Sequence, residues 1–172
     1  MDIEEKLKAC EFGTPHEAIL LNSEAEIREA AIFLSRQSHR EIIIMSRELD
    51  PMIFGHHEFT DRLRTFISQR NSKMRVLVNL DRKIIQTSHR LTGLALKHSS
   101  TITIHRIDQR KRNFHETSML CDGVAMLLRP SQDHARAILD CDAAGKIQPI
   151  LEDFERLWRN SEPIPELHTL GM

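Results

Sequence analysis

The chain has 172 residues, 40% hydrophobic and 28% charged, which is enough apolar material for one domain with a true core. Its 24 Lys+Arg against 25 Asp+Glu leave a net charge of -1, which excludes a broadly basic nucleic-acid binder but leaves room for a local basic patch. No apolar run approaches the length of a membrane span, and the N-terminus, MDIEEKLKAC, is charged where a signal peptide would be apolar.

Residues 1–17 read as an arm, with Met1 to Pro15 loosely docked. Ala18 to Leu21 suggests a short strand. Ser23 and Glu26 then form a capping box, in which the hydroxyl accepts from a free helix N–H and the carboxylate reaches back. Ile27, Ala30, Ala31 and Leu34 follow at helical spacing, giving a helix to about Ser38. Glu41 to Ser46 is a continuous apolar run rich in isoleucine, expected to be a strand buried on both faces, and Asp50-Pro51 ends it. Phe59, Leu63, Phe66 and Ile67 mark a second helix, Arg75 to Leu80 a second buried strand, and Ile84, Leu91, Leu94 and Ala95 a third helix ending near Lys97-His98. Thr101 to His105 alternates as a third strand. Strands alternating with helices imply crossovers and a mostly parallel sheet covered by helices on both faces, an α/β fold.

The stretch Phe114 to Pro130, FHETSMLCDGVAMLLRP, is two apolar runs joined at Asp122-Gly123, a strong hairpin signal because both turn residues accept positive φ. The hairpin adds antiparallel strands, so the sheet is mixed. Side chains alternate along a strand, so His115 and Thr117 share one face, with Glu116 and Ser118 on the other. Ala135 to Cys141 is compatible with a strand or a short helix. Ile147, Ile150, Leu151, Phe154, Leu157 and Trp158 form an amphipathic stripe for a last helix, with Pro149 as a point of kinking and Trp158 as core. Residues 161–172 read as a tail, leaving 18–160 as the domain.

His115, Thr117 and Asp122 fall where the pattern H-x-K-x4-D has its three residues, and the stretch resembles the phospholipase D superfamily in this spacing, in the Asp-Gly turn and in the following apolar strand. The element order resembles one half domain of that superfamily over residues 18 to 160, and a small group of uncharacterised bacterial members with eroded motifs matches better than the active enzymes do. The resemblance implies His115 as nucleophile on a phosphodiester and Asp122 as support for the site. The phosphate-binding lysine is replaced by Thr117, and where the family carries Gly-Ser and Asn the chain has Arg129, Pro130 and Asp133. Family enzymes use two such motifs and this chain has one, so a competent site implies a homodimer with both His115 side chains near the two-fold axis.

Candidate cations for a phosphate are Arg110, Lys111 and Arg112, just before His115, and Arg47, at the carboxyl end of the first buried strand where open sheets place ligands. Glu48 and Asp50 are candidate partners for the histidine, and Glu116 is not. The expected function is a degenerate phospholipase D-like domain, non-catalytic or weakly active, that binds a phosphate-bearing ligand, nucleic acid included, or a protein partner. The alternatives are a homodimeric, metal-independent phosphodiesterase and a structural assembly module. No cofactor is expected. The three cysteines, Cys10, Cys121 and Cys141, are odd in number and lack C-x-x-C, which suggests a reduced, cytoplasmic protein. The ten histidines show no metal-site spacing, and His56 and His57, being adjacent, point apart on a strand and are about 100° apart on a helix. Cys121 reads as core, and no Gly-rich phosphate loop or nucleophile elbow appears.

Overall fold

A computed structural model describes residues 2–82, 89–165 and 167. In chain order the elements are α1 (Ile3–Lys8), β1 (Ile19–Leu21), α2 (Glu24–Gln37), β2 (Glu41–Ser46), α3 (His57–Ile67), β3 (Lys73–Val78), α4 (Arg90–Lys97), β4 (Ile102–Arg106), β5 (Thr117–Cys121), β6 (Ala125–Arg129), β7 (Ala137–Asp140), α5 (Ala144–Arg159) and β8 (Glu162–Pro163). The described strands form one sheet in the order β1-β7-β6-β5-β2-β3-β4-β8. β2, β3 and β4 run parallel, and all other pairings are antiparallel.

β2 lies between β3 and β5, and a separate core covers each of its faces, so neither face meets water. This is why its sequence is continuously apolar rather than alternating. Ile42 and Ile44 join Val76, Val78, Met119 and the inward faces of α2, α3 and α4 in the larger core. Ile43, Met45, Leu77 and Leu120 point the other way, onto Ile147, Phe154 and Leu157 of α5. Ile42, Ile44, Val76 and Val78 are each fully buried, as the apolar runs require.

The β5–β6 turn has φ of 54° at Asp122 and 67° at Gly123. These are the left-handed values that a two-residue hairpin needs to match strand twist. Ser23 caps α2 through a bond from the Glu26 amide to its hydroxyl (3.1 Å). The return half of the capping box differs: the Glu26 carboxylate takes the Asn22 amide (3.4 Å) and Lys6 Nζ (3.0 Å).

Three expectations change. The segment from Asp2 to Pro15 is docked, not loose: it contains α1, tied to α2 by Lys6–Glu26, and Ile3, Leu7 and Phe12 pack on the larger core. Ala137 to Asp140 is a strand, held between β6 and β1. The segment after α5 is also anchored, because β8 pairs with β4 and Ile164 is fully buried. Ile84, expected to open the third helix, lies outside the described residues.

Candidate functional site

The carboxyl ends of β2, β3 and β6 and the start of β5 meet at one end of the sheet. Chain direction explains this: β2 and β3 are parallel, and the hairpin returns antiparallel to β2. Around a cleft of about 100 Å³ lie Arg47, Phe114, His115, Ser131, Gln132 and Asp133. Sequence reasoning identified two of these as site residues, Arg47 just past β2 and His115 just before β5, and the fold brings them together. The Arg47 guanidinium and the His115 ring have no hydrogen bond or ion pair among the described residues.

Thr117 is held in a buried hydrogen-bond network. β5 begins at Thr117, so His115 lies two residues before the strand. His115 is exposed, whereas Thr117 is buried. The Thr117 hydroxyl lies 3.1 Å from Ser46 Oγ, and Ser46 donates to the Glu48 carbonyl at 2.6 Å. Gln132 Nε2 donates to Ser46 Oγ (3.3 Å) and lies 3.5 Å from Thr117 Oγ1. A neutral hydrogen-bond network therefore surrounds the Thr117 hydroxyl.

Asp122 lies at the opposite end of the five-residue β5 from His115. Its carboxylate accepts the amides of His39 (2.9 Å), Arg40 (2.8 Å) and Glu41 (2.9 Å). It thereby joins the hairpin turn to the entry of β2, and what it supports is strand register.

Two residues that motif spacing could not reveal shape the cleft. Asn79, just past β3, donates to the carbonyls of Ile107 (3.1 Å) and Arg112 (2.7 Å) and accepts the Phe114 amide (2.8 Å). One side chain thus fixes the whole approach to His115. Arg129 ends β6 and is buried. It donates to the carbonyls of His134 (3.0 Å) and Gln132 (3.1 Å) and pairs with Asp50 (3.4 Å) and Glu24 (3.7 Å). It sets the path of the loop that supplies Gln132 and Asp133. Its signal in sequence was an arginine at the end of an apolar strand, which is ambiguous until burial is known.

The other candidate cations are engaged elsewhere. Arg110, almost fully exposed, chelates Asp108 through Nε (3.2 Å) and Nη2 (2.8 Å), and this pairing pulls the Asp108 carboxyl down to about 2. Lys111 reaches the Asn160 carbonyl (3.4 Å). Arg112 pairs with Glu116 (2.6 Å) and lies over the Phe114 ring. Glu116 also accepts the His115 backbone amide (3.2 Å), and Asp50 is committed to Arg129 and the Met52 amide.

Cys121 is fully buried, and burial pushes its thiol up to about 12, which rules out a nucleophilic role at neutral pH. The other two cysteines are a correction: Cys10 and Cys141, 131 residues apart, form a disulfide. His56 and His57 stand at the start of α3. Their rings lie 4.4 Å centre to centre, because His56 is the extended N-cap of α3. Trp158 is only partly buried and stacks on His105 at 3.9 Å.

With that geometry the chain has the fold of a phospholipase D-type domain. It superposes on Nuc from Salmonella typhimurium, a phospholipase D family member, with a TM-score of 0.64 at 11% identity, over 86% of this chain and 99% of that one. NucT from Helicobacter pylori gives 0.63 at 10% identity over the same shares. TrmBL2, an archaeal chromatin protein with a novel mode of DNA binding, gives 0.64 at 13% identity over 94% of this chain, which spans about 60% of TrmBL2. By sequence, residues 23–170 match the family described as Domain of unknown function (DUF7931), and the chain belongs to that family. No curated protein matches it. Among the described residues, no helix is long and apolar enough to cross a membrane.

Proposed function

We propose that this chain is a phospholipase D-type domain with an eroded motif, which binds a phosphate-bearing ligand in the Arg47–His115 cleft and turns it over slowly or not at all. The observation that carries this is the fate of Thr117. Its hydroxyl is taken up by Ser46 and Gln132, and no charge stands at the position of the motif lysine. A cation poised on the phosphoryl oxygens is worth about 3 kcal/mol in the transition state, a hundredfold or more in rate. Binding asks for less. Among the described residues the Arg47 guanidinium has no partner, and its fork suits a phosphate, with His115 exposed beside it. Asp133 brings an opposing charge to the same cleft, so affinity should be modest. Ligand chemistry is suggested by the neighbours in fold, one a phospholipase D family member and another a chromatin protein that binds DNA.

Titration with dimethyl phosphate, followed by NMR, tests this. Arg47→Ala should weaken binding about tenfold, Asp133→Asn should strengthen it, and Arg110→Ala should leave it unchanged. Equal affinity in the natural protein and Arg47→Ala would overturn the assignment.

The alternative is a homodimeric phosphodiesterase, favoured by the exposure of the His115 ring. There, His115 attacks phosphorus and the second subunit's histidine protonates the leaving oxygen. Assay of the natural protein, His115→Ala and Thr117→Lys on bis(p-nitrophenyl) phosphate separates the two. Turnover by the natural protein that His115→Ala abolishes favours the enzyme. Turnover by Thr117→Lys alone favours the eroded binding domain.

A further inference from the structure

At the end of the sheet opposite the cleft, three potential metal ligands converge from distant parts of the chain. Cys10 follows α1, His16 precedes β1, and Cys141 follows β7. Their ligand atoms all lie within 4.8 Å of one another. The structure shows the oxidised arrangement, with Cys10 bonded to Cys141 at a Cα–Cα distance of 5.6 Å. Both cysteines are buried, and His16 is partly exposed, giving a route from solvent.

The histidine is set up as a ligand, not as filler. His16 Nδ1 lies 2.6 Å from the Glu17 carbonyl, which can only accept, so Nδ1 carries the proton and Nε2 the lone pair. That lone pair points at the cysteine pair, where in the oxidised form it accepts the Cys141 amide at 3.1 Å, a bond it gives up when it ligates an ion. A backbone carbonyl on the far nitrogen is the usual way a metal-binding imidazole is fixed in tautomer and orientation. The surroundings are ordered as well: the Gly13 amide donates to the Cys141 carbonyl at 2.8 Å. Neighbouring Asp140 commits its oxygens to Lys146 (2.8 Å) and the Asp142 amide (3.0 Å), so it competes little for the site.

We propose that Cys10, His16 and Cys141 form a site for a thiophilic divalent metal ion, filled when the cysteines are reduced and closed when they are oxidised. Two thiolates and one imidazole suit Zn(II), leaving the fourth tetrahedral position to water. A two-electron reductant such as a dithiol must first open the disulfide, becoming a disulfide itself and leaving two thiolates, since each sulfur then needs its own bond of about 2.3 Å to the metal. The reverse step needs a two-electron oxidant such as a peroxide. The two thiolates give up one electron each, the S–S bond forms, and the metal–sulfur bonds break. The peroxide takes the two electrons and two protons and leaves as water and the corresponding alcohol, or as two waters from hydrogen peroxide. The ion departs unchanged. In either state the segment before β1 stays fastened to the end of β7.

The test uses the full chain reduced with a phosphine and titrated with Co(II), whose thiolate charge-transfer band reports sulfur ligation directly. One equivalent should bind with that band, Zn(II) should displace it, and hydrogen peroxide should release it while accessible thiols after denaturation fall from three to one. Cys10→Ser should lose the band. His16→Ala should weaken binding by about tenfold or more with the fold intact by near-ultraviolet dichroism. Absence of a thiolate band in the reduced natural protein, or the same affinity in His16→Ala, would overturn the site.

Discussion

At the scale of single residues, a side chain singled out by its spacing can turn out to hold backbone. Asp122 holds the last place of the H-x-K-x4-D spacing, yet its two oxygens serve three amides at the entrance of β2. We expect Asp122→Ala to lower stability by about 2–3 kcal/mol in urea, since charge-assisted bonds to amides are lost and alanine tolerates the positive φ poorly. Asp122→Asn keeps one acceptor and the left-handed backbone, and should cost less. An unchanged midpoint for Asp122→Ala would remove this structural role. Much of the cleft could not be read at this scale. Arg47 and His115 were legible because each flanks an apolar run. Asn79 and Arg129 were not, because what they hold are backbone carbonyls, which leave no mark in sequence. Cys10 and Cys141 were hidden by the 131 residues between them.

Elements were more legible, for reasons that depend on their surroundings. β2 and β3 announced themselves because a strand covered on both faces must be apolar throughout. β7 stayed ambiguous because four residues are too few to show a period. β8 offered two residues, one of them proline, and only its pairing with β4 makes it a strand. α4 carries a pH-dependent cap. His89 Nδ1 accepts the Leu91 amide at 3.2 Å, so the ring caps the helix only while that nitrogen is unprotonated. Burial pushes His89 below its ordinary 6.5, against the pull of the Leu49 carbonyl and the Asp50 carboxylate. The unfolded chain then binds more protons than the folded one at acid pH, so stability is lost as pH falls below about 6.5. Urea unfolding at pH 7.5 and pH 5.0 should show a larger loss for the natural protein than for His89→Gln, whose amide oxygen can still cap. Equal losses would mean that His89 does not carry the effect.

For the whole molecule, one cleft at one end of one sheet raises the matter of a second copy. We expect a homodimer at micromolar concentration, with the two clefts facing across a two-fold axis. Sedimentation that finds only the 20.0 kDa species would count against it and would leave a histidine-pair mechanism without its second histidine.

The two rims of the sheet narrow how such a pair could form. On one rim, β1 is three residues long and Lys6 Nζ already holds the Leu20 carbonyl at 3.0 Å. On the other, β8 is two residues long, one of them a proline that has no amide hydrogen to offer. Neither rim presents a row of open donors and acceptors on which another strand could zip, and a lysine and a proline are common devices for discouraging it. Two copies therefore have little means of merging into one continuous ribbon, and recognition between them falls to side chains, where a single substitution can undo it.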